Sequence, residues 1–226
     1  MTALDKILFL DIETVSQFRT YDELDERWQK LWDHKCKSFH VTDKSTDELY
    51  AQKAAIYSEF GKILCIGLAF ERNGEVRTKA IIGEDESSVL QEFFGIVNQH
   101  FARPESNAFS GHNIKEFDIP YICRRAMIHQ LELPTILQIG GKKPWEVKYL
   151  YDTIEQWKFG DQKSYVSLDL LAACLGLESS KGKMDGSMVG HYYWNEGDLN
   201  SIAEYCLEDV LLSMKVYKRI FAPGLH

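Results

Sequence analysis

Ile7-Leu8-Phe9-Leu10-Asp11-Ile12-Glu13-Thr14 is the stretch on which the reading of this 226-residue chain turns. The apolar run Ile7 to Leu10 predicts a strand buried on both faces. Side chains alternate across a strand, so Asp11 and Glu13 at its end emerge on the same side. Burying a carboxylate is costly unless a cation compensates it, and two neighbours also repel. A divalent ion would answer both problems. A strand end that runs into a solvated acidic loop gives the same pattern, so the choice rests on the remainder of the chain.

Downstream, Gly61 opens a second strand over 62–71, carried by Ile63, Leu64, Cys65, Ile66 and Leu68. Asn73-Gly74 is a hairpin turn, and 76–82 returns as a third strand, so the first three strands are expected to be antiparallel. A helix over 86–101 comes next, with Val89, Leu90, Phe93, Phe94, Val97 and Phe101 on its core face. A short strand at 107–111, a helix at 116–131, a strand at 147–152, a helix at 167–175 and a long helix at 199–221 complete an α/β layered domain. Between the first two strands, Tyr21, Leu24, Trp28, Leu31 and Trp32 follow helical spacing. Ser45 with Glu48 forms a capping-box pattern ahead of a second helical face of Leu49, Ala54 and Tyr57. The two tryptophans read as packing residues before base-stacking platforms. The chain is thus expected to be a single domain, 1–226, with a helical insertion at about 16–60.

Composition narrows the function. The chain has 34 acidic and 26 basic residues, a net charge of -8, which argues against coating nucleic acid by bulk electrostatics. A site that bridges phosphates to carboxylates through metal ions needs only a local basic rim. Five cysteines, odd in number and without CxxC spacing, read as reduced, buried thiols and not as a zinc site or disulfide framework. No apolar run approaches the roughly 18 residues of a membrane span, and there is no signal-type N-terminus, so a soluble cytoplasmic protein with no membrane partner is expected.

Two further acidic features stand out. In Gly111-His112-Asn113-Ile114-Lys115-Glu116-Phe117-Asp118, Gly111 and Asn113 permit a tight turn after a strand. Phe117, Ile119 and Ile122 anchor the helix after that turn, leaving Asp118 to point back toward the strand end, although a helix-start aspartate would look alike. On the last helix, Ile202, Cys206, Val210, Met214, Tyr217 and Phe221 define an apolar stripe. Tyr205 and Asp209, four residues apart, share its edge and face one neighbour, better placed to reach inward than Glu204 or Glu208. A helix-surface Tyr and Asp with no role is the plainer alternative. Asp152 and Asp169 read as supporting or structural acids, Lys181 and Lys183 as phosphate contacts or an exposed loop, and His112 and His191 as hydrogen-bonded structural residues.

In this order the three pieces resemble the DEDD superfamily of 3'-5' exonucleases on the ribonuclease H-like (DnaQ-like) fold. LDIET stands at the first motif, NIKEFD at the second and Tyr205-Cys206-Leu207-Glu208-Asp209 at the YxxxD third motif of the DEDDy branch. FGKILCIGLAF, GHNIKEFDIPYI, SLDLLAACLGL and KGKMDGSMV resemble the bacterial predicted exonucleases related to the exonuclease domain of family B DNA polymerases.

The resemblance implies a three-layer α/β domain with a mixed five-stranded sheet flanked by helices. It also implies a 3'-5' exonuclease acting on single-stranded DNA through two divalent ions, Mg²⁺ or Mn²⁺. Asp11, Glu13, Asp118 and Asp209 would be the metal ligands and Tyr205 would orient the attacking water, with these five as the catalytic set. An exoribonuclease with the same site, and an inactive nucleic-acid-binding module, are the alternative expectations. With no polymerase domain in the sequence, a proofreading role would need a polymerase or repair partner.

Overall fold

The computed structural model describes residues 3–41, 43–161, 165–178 and 184–221. Its five strands are β1 (Ile7–Ser16), β2 (Gly61–Arg72), β3 (Glu75–Ile82), β4 (Ala108–Gly111) and β5 (Leu150–Asp152). They form one mixed sheet in the order β3-β2-β1-β4-β5. β1, β2 and β3 are antiparallel neighbours, while β4 and β5 run parallel to β1, as the hairpin signal and the later βα alternation predict.

The helices are α1 (Glu26–Cys36), α2 (Thr46–Lys53), α3 (Glu86–His100), α4 (Asp118–Ile128), α5 (Thr153–Lys158), α6 (Leu168–Cys174), the short α7 (Val189–His191) and α8 (Leu199–Phe221). α7 continues into a π-helical turn, Tyr192–Glu196. α3 packs on β2 and β3, and α8 crosses β1, β2, β3 and β4. Alternation along β1 divides the work. Leu8 joins Leu68, Phe70 and Ile96 around a cavity beside α3. Phe9 instead meets Tyr217 of α8 edge-on at 5.2 Å. Asp11 and Glu13 share the parity of Phe9 and therefore face α8. Among the described residues no helix is long and apolar enough to cross a membrane.

β1 departs from the sequence expectation in an informative way. Asp11 does not end the strand, which runs on to Ser16 with β2 as its partner, because Ile12, Thr14 and Val15 are β-branched. Pairing with β4 covers only Ile7 to Phe9. Beyond Phe9 the strand has lost its β4 neighbour, and both carboxylates lie along that opened flank. The register with β2 also shifts between Glu13 and Thr14.

The segment between β1 and β2 is helical and gathers an aromatic cluster of its own. Trp32 is fully buried, edge-on to Phe60 at 4.9 Å and Tyr50 at 5.3 Å, and its indole donates to the Thr46 carbonyl at 2.8 Å. The capping box of Ser45 and Glu48 is formed. Leu31 is the exception to the expected face. α1 is phased from its Asp25 cap, which accepts from the Trp28 amide, and this leaves Leu31 47% exposed. The cysteines also differ from expectation, since Cys174 is exposed and Cys123 only partly buried.

One buried network locks α3, α4 and β2 together. The Arg125 guanidinium donates to Glu86 through Nε at 2.9 Å, and through a terminal nitrogen to the Ser58 carbonyl at 2.8 Å. Glu86 also accepts the Ile63 amide at 2.7 Å and holds His129. Both charged groups have partners on every side, the condition under which a buried ion pair is tolerated.

Candidate active site

Asp118 is the first residue of α4, and its carboxylate accepts the amide of Ile12 at 3.1 Å. The bond pins α4 to the opened flank of β1, beside Asp11 and Glu13. The turn that delivers Asp118 is held by Asp152, a residue whose sequence context marks it only as a supporting or structural acid. Asp152, at the end of β5, accepts the amides of Asn113 at 3.2 Å and Lys115 at 3.1 Å while capping α5 through Ile154. Asn113 takes the left-handed conformation, φ 67°, that the tight turn requires. This turn displaces the start of α4 from the expected residue 116 to 118. The sequence signal for Asp152 is its place before Thr153, where an aspartate at a strand end reads as an N-cap.

From the opposite side α8 brings Tyr205, buried, and Asp209, half-buried, while Glu204 and Glu208 face outward as the stripe predicts. α8 can lie this close because Gly67, the residue of β2 paired with Asp11, has no side chain. A Cβ there would sit 2.8 Å from the Cys206 sulfur and 2.9 Å from its carbonyl oxygen.

Within the cluster the acids raise one another's pKa values. Asp11 is held well above the ordinary carboxylate range by burial first, then by Asp118, Glu13 and Asp209. Glu13, 7% exposed, is raised likewise by burial, Asp209, Cys65 and Asp118. Burial pushes Asp118 up to about 7, although the Ile12 amide pulls the other way. Tyr205 stays a neutral phenol, raised by burial, by Asp209 and by Glu13. Among the described residues, the groups that shift Asp11 and Glu13 are acids and a thiol, and none is a cation.

The tightest set of donor atoms among the described residues is Asp11, Glu13 and Cys206, all within 4.8 Å, and the thiol is a member the sequence reading did not place there. Cys206 Sγ lies 3.5 Å from the Asp11 carbonyl oxygen. Burial and the neighbouring Cys65 hold this thiol well above its usual range, so it stays protonated and acts as a weak donor beneath the site. The other two donors are hard carboxylate oxygens crowded together, which fits a divalent cation.

These side chains line a groove of about 440 Å³ between α4 and α8, to which Phe117, Tyr165 and Asp169 also contribute. His112 is structural, hydrogen-bonded to Thr153 Oγ1 at 2.8 Å and the Val166 carbonyl at 2.9 Å, and burial lowers its pKa. His191 bonds Asn195 and Glu196. Lys181 and Lys183 lie outside the described residues.

No curated protein sequence matches the chain. Among solved structures, the family B DNA polymerase from the hyperthermophilic archaeon Pyrobaculum calidifontis superposes with a TM-score of 0.57 and 16% identity over 94% of this chain. The chain spans only 24% of that polymerase, so the likeness is one of fold. Residues 56–222 match a family described as predicted 3'-5' exonucleases related to the exonuclease domain of PolB, and the chain belongs to that family.

Proposed function

We propose that the protein is a metal-dependent 3'-5' exonuclease that removes nucleoside 5'-monophosphates from the end of single-stranded DNA, with Asp11, Glu13, Asp118, Tyr205 and Asp209 as its catalytic residues. The observation that carries this reading is the convergence of four carboxylates, two buried and two half-buried, and the Tyr205 phenol on one groove.

Asp11, Glu13, Asp118 and Asp209 would hold two divalent ions, which when bound neutralise charge on the attacking and leaving oxygens of an in-line displacement. The protein supplies position. Asp118, tied to the Ile12 amide, fixes one side of the site relative to β1, and α8 fixes the other. Tyr205, a protonated phenol beside Asp209, orients the attacking water. The water oxygen forms the new bond to phosphorus as the bond to the 3'-oxygen breaks, and that oxygen leaves with a proton. Phe117 and Ile56, at the groove wall, are apolar surfaces against which a terminal base can stack.

The test is incubation of 5'-labelled single-stranded DNA and RNA with the protein in Mg²⁺ or Mn²⁺. The expected outcome is a ladder shortened from the 3' end, on DNA more than RNA, that chelator abolishes. Faster RNA degradation would reassign the substrate, and cleavage of a circular single strand would contradict end-dependent hydrolysis.

A further inference from the structure

The acidic groove does not stop at the carboxylates. Through Ile12, Glu13, Ile56, Phe117 and Gly186 it opens into a second groove of about 810 Å³ with a different lining. One wall comes from the helical segment between β1 and β2, by way of Arg19, Thr20 and Gln52. The other comes from α7 and the π-helical turn, by way of His191, Trp194 and Asn195. Among the described residues Glu13, at the junction, is the only acid of this lining, and amides, hydroxyls and two basic side chains take the place of carboxylates.

Arg19 links the two walls. Its guanidinium donates to Asn195 Oδ1 at 2.7 Å, and it makes no ion pair among the described residues. An exposed arginine parked on a neutral amide gives up little when a better acceptor arrives, and a phosphate oxygen is such an acceptor. Trp194 is held in place at the groove wall. Its indole donates to Ser16 Oγ at 3.3 Å, and the Lys62 ammonium lies 5.4 Å from its ring. The wall carrying Arg19 is anchored as well, since the Phe18 amide donates to Tyr50 in the aromatic cluster and Tyr121 of α4 donates to the Ala55 carbonyl. Residues 19, 20, 51, 52 and 55 precede the segment matched to the family, 56–222.

We infer that the second groove is a track for the nucleotides that precede the scissile bond, with Arg19 contacting a backbone phosphate and Trp194 offering a stacking surface to a base. The inference rests on the exonuclease reading and adds to it a length preference. A substrate long enough to reach Arg19 binds more tightly than one that fills the acidic groove alone.

The experiment compares a fluorescent twelve-nucleotide single-stranded DNA with a dinucleotide, by anisotropy in Ca²⁺ and by turnover in Mn²⁺. The proteins are the wild type, Arg19→Gln, Trp194→Leu and Lys30→Gln. Lys30 lines neither groove and is paired with Glu26, so it controls for loss of a positive charge alone. Arg19→Gln should weaken binding of the twelve-mer roughly five- to tenfold and reduce the slope of log affinity against log salt by about 0.7, the amount for one phosphate contact on a single strand. The dinucleotide should be affected much less. Trp194→Leu should weaken the twelve-mer by roughly fivefold or more with little change in salt slope. If Arg19→Gln behaves like Lys30→Gln, or weakens both substrates equally, the track is wrong while the exonuclease stands. A folded wild type that cleaves neither substrate overturns the exonuclease reading itself.

Discussion

Glu86 and Asp11 are carboxylates drawn into the same protein and given opposite company. Glu86 is met by the fork of Arg125, by His129 and by the Ile63 amide, and Arg125 is itself shared with the Ser58 carbonyl. Asp11 is met by Asp118, Glu13, Asp209 and a protonated thiol. A buried charge whose needs are met from within the chain holds elements together. One that meets only acids and a thiol among the described residues is suited to a cation that arrives from outside.

The sharpest way to break this comparison is to neutralise each region in turn. Asp11→Asn should lower turnover by about a thousandfold or more and leave the melting temperature in chelator unchanged or raised. Arg125→Met should do the reverse, with a loss of about 3–5 kcal/mol in a denaturant titration because Glu86 is left buried without its partner, while turnover per folded molecule stays within a few fold. If the two variants exchange these outcomes, the division into scaffold and site is wrong.

The next test is the response to metal. Mn²⁺ at a hundred times its dissociation constant should stabilise the wild type by about 2.7 kcal/mol in a thermal or urea melt. Asp209→Asn should melt no lower than wild type in chelator, since one repelling charge is gone, and should gain clearly less from Mn²⁺. A clearly less stable Asp209→Asn with an undiminished metal response would make Asp209 a structural residue.

Acidity offers a subtler measure. In the metal-free fold Asp118 holds its proton up to about 7, whereas in the unfolded chain it ionises near its usual value of about 3.9. Between those limits the folded state binds more protons. The stabilising contribution is therefore complete below about pH 4 and is lost as the pH rises through about 7. Asp11 and Glu13 act in the same direction. Urea melts in chelator should show stability falling from pH 5 to pH 8, and added Mn²⁺ should flatten or invert the trend because it binds the ionised carboxylates.

The smallest effect concerns the phenol. Tyr205→Phe should reduce turnover about tenfold, since it removes the one hydrogen bond proposed to orient the attacking water and leaves the carboxylates in place. A loss as large as that of Asp11→Asn, with the Mn²⁺ response intact, would mean that Tyr205 must transfer a proton.

Much of this is legible in the sequence where the signal is local and periodic. Alternation places Asp11 and Glu13 on one side, the Asn73-Gly74 turn sets the hairpin, and the α8 stripe puts Tyr205 and Asp209 on an inward edge. The features that escape depend on residues far apart in the chain. Nothing near Glu86 announces Arg125, thirty-nine positions later, and nothing near Asp152 announces that its carboxylate will hold the turn leading to Asp118. The extension of β1 to Ser16 escapes for another reason. Thr14 and Val15 favour a strand, but acidic neighbours mimic a strand end, and the partner that decides is β2. The Arg19 wall escapes because aromatic spacing locates a core more readily than the groove that core supports.

Gly67 carries a last consequence, for how such proteins vary. It lies opposite Asp11 and under the backbone of Cys206, and it has no functional group at all. One methyl group there would meet the Cys206 carbonyl and lever α8, with Tyr205 and Asp209, away from β1. A comparison of sequences that scores only acids and the tyrosine would rate a chain with alanine at position 67 as intact. In such a chain every proposed ligand would survive while the spacing between α8 and β1 would not, so the glycine at position 67 belongs in the signature beside the charged residues.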